Sequence, residues 1–318
     1  KGLTEAGFVL GQKVVVEGAG SATRTIVDFV NGSCPFDDPF PGCGLNSTMV
    51  LSGDPLPVSN FVKRAIHVAD VVAGWHSAGA IARAVEMAPL AWLPTAIVRR
   101  LIVTPQIHAC GGTELALRHA AKGEWAISLS GGFHHARPNL VHGFCLVNDV
   151  AWAVHRLNES GQHPRILVLD LDLHQGDGNA AMFSGRADVF TVSLHQEDTF
   201  PLPKLKSHID VGLCGKVGDE EYHRELDALL DRVADAFAPE IVVYVAGTDP
   251  FEGDAIGSFR VTRAGLVERD RMVARFARRV GASLVALPAG GYSSESPAIA
   301  AAGFAAMAEI ATTAAPRA

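Results

Sequence analysis

Short apolar runs recur from residue 125 onward, at 125–129, 166–169, 189–194, 241–245 and 284–287. Each contains β-branched residues and is followed by glycine or polar residues. Runs of that length and composition predict buried strands rather than helices. Helical patterns fall between them. One covers 149–157. A second covers 219–236 and places Leu226, Leu229, Leu230 and Val233 at helical spacing, with Phe237 just beyond. A third covers 263–280, with Leu266, Val267, Met272, Val273 and Phe276. Alternating strands and helices predict an α/β fold with a mostly parallel central sheet and helices on both faces. The alanine-rich stretch 297–307 reads as a buried terminal helix. It is too short for a membrane span, which needs about 18 apolar residues or more.

No linker-like composition divides the 318 residues, and 48% are hydrophobic, enough for one large core, so a single domain over 1–318 is expected. Residues 1–70 stand apart. The stretch KVVVEGAGSATRTIVDF (13–29) imitates a dinucleotide-binding fingerprint through Gly18 and Gly20, but Thr23 stands where a third glycine belongs. A turn between a strand and a helix is the expectation there. The segment NGSCPFDDPFPGCGLNS (31–47) is dense in Gly, Pro and Asp and reads as loop, a candidate lid or rim.

A net charge of −7 lacks the basic face that nucleic acids require, and suits a basic substrate. The five cysteines (34, 43, 110, 145 and 214) are odd in number and contain no CxxC, which argues against a disulfide framework or zinc ribbon. With no signal peptide and no spanning segment, an intracellular, cytoplasmic setting is expected.

The strand candidates end in polar clusters: SGGFHH (130–135), DLDLHQGDG (170–178), HQED (195–198), AGTDPFEGD (246–254) and PAGGY (288–292). In parallel sheets, sites form beyond the carboxyl ends of strands. In an extended chain Asp170, Asp172 and His174 share one face while Leu171 and Leu173 point into packing. Two carboxylates on one face repel unless a cation lies between them or one is neutralised. An aspartate and an imidazole suit zinc, whose catalytic sites take three protein ligands. Asp249, at another strand end, is the natural third. Taken singly, these residues also suit plainer roles: Asp-x-His as a helix cap or turn acceptor, Asp177 and Tyr292 as turn residues.

The motifs GGFHHA (131–136), GFCLVNDVAWA (143–153), DLDLHQGDGN (170–179), TVSLH (191–195), AGTDPFEGDAIGSF (246–259) and AGGY (289–292) follow one another in that order. Together they resemble the zinc-dependent histone deacetylase family, whose fold is an arginase-like α/β sheet. Gln175, the GGT at 111–113 and the AGTDPFEGD phrase resemble its class IV branch. The resemblance covers about residues 105–300. It implies Asp172, His174 and Asp249 as zinc ligands, and ferrous iron accepts the same set. It implies His134 and His135 at the floor of the site, oriented by Asp170 and Asp177 respectively, and Tyr292 facing the substrate carbonyl. It implies a potassium or sodium ion held by the Asp170 carboxylate, the Ser193 hydroxyl and backbone oxygens of Asp172, His174 and Leu194. Phe144 and Phe200 match the walls of an acyl-lysine channel, with Gly143 passing close to the substrate stem.

The expected reaction is hydrolysis of an Nε-acyl-lysine amide in a protein or peptide by metal-activated water. Two other readings stand beside it: a deacylase of acetylated polyamines or other small amides, and a non-catalytic zinc-containing binding or scaffold protein. The chain departs from the resemblance over 1–70, and again after Phe200-Pro201, where LPKLKSH (202–208) replaces glycine-rich sequence.

Overall fold

A computed structural model of the chain describes residues 14–16, 24–26, 48–50, 78, 81, 82, 85–138 and 140–312, the first three segments as backbone only. The strands are β1 (Val14–Val16), β2 (Arg24–Ile26), β3 (Thr48–Val50), β4 (Ala126–Ser128), β5 (Ile166–Asp170), β6 (Val189–Gln196), β7 (Ile209–Leu213), β8 (Ile241–Ala246) and β9 (Ser283–Pro288). The main helices are α1 (Thr104–Ala120), α2 (Asp149–Glu159), α3 (Asp177–Met182), α4 (Asp219–Ala236), α5 (Arg263–Arg279) and α6 (Ser296–Thr312).

The central sheet is seven-stranded in the order β3-β4-β9-β8-β5-β6-β7. β3 pairs antiparallel with β4, and the other pairings are parallel. Alternating side chains of the inner strands divide between two cores. Leu167 and Leu169, Val242 and Tyr244, and Leu284 and Ala286 pack with Leu226 and Val233 of α4, Leu266 and Phe276 of α5, and Phe304 of α6. Ile166 and Val168, Ile241 and Val243, and Val285 and Leu287 pack with Leu117 of α1 and Val150 and Leu157 of α2. A sheet covered on both faces leaves no exposed side for polar alternation, which is why its strands read as continuous apolar runs.

Helix starts follow their capping chemistry. Asn148 caps α2 by accepting from Ala151 N at 2.8 Å. Thr262 caps α5 by accepting from Gly265 N at 3.0 Å, and its hydroxyl donates to Asp219 Oδ2 at 2.7 Å, joining α5 to the start of α4.

The topology places a crevice. From β5 the chain builds outward through β6 and β7, then returns to lay β8 and β9 on the other side of β5. The order therefore reverses between β5 and β8, and ligands bind where two such strand ends splay apart.

Several expectations change. Where a turn between a strand and a helix was expected in 13–29, the described residues are two strands: β1 pairs antiparallel with β2, Val14 opposite Ile26. Both segments are dominated by β-branched residues, which favour extended backbone. The polar end of the 166–174 run is not one extended strand either, because β5 stops at Asp170 and the chain bends after it. The strands β3 and β7 and the helix α1 were not expected from periodicity. Segment 31–47, with Cys34 and Cys43, lies outside the described residues. Among the described residues, no helix is long and apolar enough to cross a membrane.

Candidate metal centre and active site

The site begins where β5 ends. Leu171 N donates to Val245 O of β8 at 3.1 Å, holding the two strand ends together. Leu171 and Leu173 are both fully buried in the core beside α4 and α5. With these alternate residues fixed inside, Asp172 and His174 turn the other way, into the crevice. The bend is braced by its own groups: Asp172 N donates to Asp170 Oδ1 at 3.3 Å, and His174 N to Asp172 Oδ1 at 2.9 Å.

Asp249 arrives from the end of β8. Its Oδ1 accepts from Leu173 N at 2.9 Å, and its Oδ2 lies 3.0 Å from His174 Nδ1. Asp172 Oδ1 lies 3.2 Å from the same nitrogen. One ligand atom from each of Asp172, His174 and Asp249 lies within 4.8 Å of the others, and all three residues are buried. The loop after β9 closes over them, with Gly290 N donating to Asp172 Oδ2 at 2.7 Å.

Two fully buried carboxylates around one imidazole need a cation or a proton between them. Without a metal, a proton serves. Burial alone would lower the His174 pKa, but hydrogen bonds and charge from Asp172 and Asp249 raise it to about 10. Burial and the charge of Asp172 raise Asp249 to about 7. Asp172 itself is held below its ordinary value because His134 and His174 outweigh its burial. One nitrogen and two carboxylate oxygens, converging in a buried pocket, fit a divalent ion of the zinc type.

His134 and His135 sit beside this cluster with ring centroids 3.9 Å apart. His134 Nδ1 lies 2.9 Å from Asp170 Oδ2, and His135 Nδ1 lies 2.6 Å from Asp177 Oδ1. The structure thus brings both expected His–Asp pairs together. Burial would lower His134, but charge from Asp170 and Asp172 raises it to about 9. His135 goes the other way: burial and the charge on His134 lower it to about 3, against the pull of Asp177.

The double-histidine loop is held from both ends. Asp149 accepts from Gly132 N at 3.0 Å, Phe133 N at 2.7 Å and the Thr113 hydroxyl at 2.5 Å. Behind the histidines, α3 presses its first turn onto the loop backbone. A Cβ on Gly178 would lie 2.6 Å from Ala136 O, so only glycine fits this seat. Asn179 N donates to His134 O at 3.1 Å, and Asn148 Nδ2 donates to Asn179 Oδ1 at 2.9 Å.

Two contacts were not read from the sequence. Arg137 Nε donates to Asp177 Oδ2, and His142 Nε2 lies 2.9 Å from that same oxygen. These residues and His135 carry the Asp177 pKa below its ordinary value despite burial. Arg137 and His142 are the basic residues of the link between GGFHHA and GFCLVNDVAWA, the one available sequence signal.

Asp170 stands in register with Ser193 of β6, where the monovalent ion was expected. The Ser193 hydroxyl lies 3.0 Å from His195 Nδ1, and Leu194 is fully buried. The two aromatic residues have different neighbours. Phe200 stands over the histidines, its ring 5.0 Å from His135, 5.2 Å from His142 and 6.2 Å from His174. Phe144 lies 6.0 Å from the Tyr292 ring. Phe144 has φ of 64° and follows Gly143 at 56°, a tight left-handed pair. A Cβ on Gly143 would lie 2.5 Å from His135 Cδ2. Tyr292 is 41% exposed and anchored by its backbone N to Asp254 Oδ2 at 2.7 Å. Partial burial, then the charges of Asp172 and Asp249, push its hydroxyl pKa up, so it remains a protonated donor.

The departing stretch 202–208 is tied down by Gln175. Gln175 Nε2 donates to Leu205 O at 2.6 Å, and Leu205 N donates to Gln175 Oε1 at 2.8 Å. A residue next to His174 thereby holds the rim segment that follows Phe200.

Comparison with known proteins places the fold and the family. The family described as Histone deacetylase domain matches residues 64–308. Histone deacetylase 2 of Arabidopsis thaliana is 32% identical over 246 residues, covering 76% of this chain. The match spans 64% of that relative's length. A crystal structure of a histone deacetylase homologue from Aquifex aeolicus superposes with a TM-score of 0.60 at 26% identity, over 78% of this chain and 71% of that one. The acetylpolyamine aminohydrolase of Burkholderia pseudomallei shares the fold, with a TM-score of 0.56 at 23% identity over 64% of this chain and 63% of that one. The chain belongs to the histone deacetylase family.

Proposed function

We propose that this chain is a zinc-dependent deacylase that hydrolyses the amide of an Nε-acyl-lysine. The observation that carries the reading is the buried convergence of Asp172, His174 and Asp249 within 4.8 Å, beside two His–Asp pairs. Asp172, His174 and Asp249 would hold zinc, and the same donors suit ferrous iron. The bound ion would supply a Lewis acid for the acyl carbonyl and an acidified water. Asp170, the Ser193 hydroxyl and backbone oxygens of Asp172, His174 and Leu194 would hold a potassium or sodium ion.

The protein's own groups divide the proton work. Asp177 holds Nδ1 of His135, so Nε2 is the nitrogen left to accept a proton. Burial and the neighbouring His134 lower the pKa of His135, which suits it to accept a proton, while charge from Asp170 and Asp172 raises that of His134 against its burial, which suits it to donate one. The Tyr292 hydroxyl donates to the oxyanion that develops from the carbonyl. Phe144 and Phe200 sheathe the four-carbon lysine stem while its amide reaches the floor. The net charge of −7 suits a lysine and a polyamine alike.

The test pairs metal content with an acyl-release panel of acetyl-lysine peptide, longer acyl-lysines and acetylated polyamines. Wild type is expected to hold stoichiometric metal and to prefer acyl-lysine. Asp172→Ala is expected to lose the metal by elemental analysis, and stoichiometric retention would refute the ligand set. Tyr292→Phe is expected to keep the metal and lose about 10²–10³ in rate. A preference for polyamines would move the substrate class. Bound metal and hydroxamate with no turnover on any amide would make the chain a binding or scaffold protein.

A further inference from the structure

A charged side chain lies directly behind the metal site, where none of the chemistry above requires one. Arg269 of α5 is 0% exposed. Burying a guanidinium is costly unless every donor finds a partner, and an apolar residue would often serve stability as well. The partners here are specific. Arg269 Nη1 donates to Gly247 O at 2.5 Å and to Leu171 O at 3.3 Å. Nε donates to Asp270 Oδ1 at 3.0 Å, while Nη2 lies within ion-pair distance of the same oxygen, at 2.9 Å, but makes no hydrogen bond.

The two carbonyls belong to the two ligand-bearing turns. Leu171 immediately precedes Asp172, and Gly247 stands two residues before Asp249. Each is the first residue past its strand, β5 ending at Asp170 and β8 at Ala246. The turns are in close contact: a Cβ on Gly247 would lie 2.8 Å from Asp172 Cα. One planar guanidinium therefore spans the pair at the point where sheet hydrogen bonding ends.

Its own position is fixed in turn. The Tyr244 hydroxyl donates to Asp270 Oδ1 at 2.5 Å, and the Arg269 Cζ lies 5.7 Å from the Tyr244 ring centroid. The Tyr222 hydroxyl of α4 donates to Leu171 O at 3.5 Å. On the far side, α6 comes so close that a Cβ on Gly303 would strike Asp270 Oδ2.

We infer that Arg269 is a positioning residue of the metal centre, a clamp that fixes the separation of the Asp172 and Asp249 turns through their backbone carbonyls. The inference rests on the metal reading above. It requires arginine in particular, because Nη1 meets both carbonyls while Nε anchors the same rigid plane on Asp270, and a lysine ammonium at the Nη1 position would lose that anchor. Groups that orient metal ligands typically cost about 10–100-fold in affinity when lost.

The experiment measures the zinc dissociation constant of full-length protein by competition with a chromogenic chelator. The proteins compared are wild type, Arg269→Lys, Asp270→Asn and Leu266→Ala, all checked as folded by near-UV circular dichroism. Arg269→Lys is expected to bind zinc about 10–100-fold more weakly. Asp270→Asn keeps a neutral acceptor for Tyr244 while uncharging the partner of the guanidinium, and is expected to shift affinity in the same direction by less. Leu266→Ala truncates a fully buried side chain of the same helix. It is expected to lower the unfolding midpoint and leave zinc affinity unchanged. Arg269→Lys and Asp270→Asn proteins that match wild type in zinc affinity would overturn the clamp while leaving the metal reading intact. Should Arg269→Lys fail to fold, Asp270→Asn alone decides. A wild type that binds no zinc would instead remove the metal reading itself.

Discussion

Gly290 lies against both carboxylates of the proposed metal centre, so that a Cβ there would stand 2.7 Å from Asp172 Oδ2 and closer still to Asp249 Oδ2. Gly290→Ala is therefore expected to push the pair apart and abolish stoichiometric metal binding by elemental analysis. The far-UV spectrum should remain that of wild type, because the residue sits in a partly exposed loop. Full metal retention would show that the loop yields instead. At this scale the candidate ligands and the two His–Asp pairs were legible, and the side chains that brace them from further away were not. Asp172 and His174 announce themselves because Leu171 and Leu173 alternate with them. Arg137 and His142 reach Asp177 across sequence separations of 40 and 35, through a loop that folds back onto α3. Alternation reports a residue's immediate neighbours and carries nothing about such a return. Arg269, 98 positions from Leu171, was hidden for the same reason.

Elements were legible in proportion to how apolar their buried faces are. The runs that became β5 and β8 are buried along their whole length. By contrast α1 is buried over most of its turns yet reads as polar, because Gln106, Thr113, Glu114 and His119 lie inside it. Each is matched by a partner: Gln106 with Phe144 O and Leu146 N, Thr113 with Asp149, Glu114 with Trp152, His119 with Glu124. Edge strand β7 was missed because Asp210 and Gly212 face outward and break its apolar run. The join between β6 and β7 makes a pH prediction. His208 Nδ1 accepts from Thr191 N at 3.1 Å, and its ring stacks on Phe190 at 4.5 Å. The covered part of the ring lowers its pKa below the ordinary 6.5. Below about pH 6.5 the unfolded chain therefore binds this proton more readily than the folded chain does. The contribution to stability is complete above that pH and is lost as the pH falls through the folded value. His208→Gln is expected to flatten the decline of the urea midpoint between about pH 7.5 and 5. An unchanged slope would free His208 from this role.

For the whole molecule, the fold class was legible and the strand order was not. Parallel strands covered on both faces look alike in sequence, so nothing local says that β8 returns to the inner side of β5 rather than continuing past β7. That return makes the crevice, and it gathers Asp170, Asp172, Asp177 and Asp249, all buried, near the same strand ends. Collecting so much potential negative charge in the interior opposes folding, and the structure offsets it locally. Arg137 and His142 meet Asp177, and His134 meets Asp170. The charges of Asp172 and Asp249 converge on His174, where a divalent cation would replace the proton. An ion that binds only the folded chain stabilises it by about 2.7 kcal/mol when free metal stands at about a hundred times the dissociation constant. For a chain of this length that corresponds to roughly 4 °C in Tm. Stripping metal with a chelator is thus expected to lower the Tm of wild type by that order, and zinc should restore it. Asp172→Ala removes a ligand along with one buried charge, so its Tm should respond to neither chelator nor zinc. If the chelator shifts both proteins equally, the stabilising ion lies elsewhere than in the crevice between β5 and β8. If it shifts neither, folding tolerates these acids through their protein partners alone.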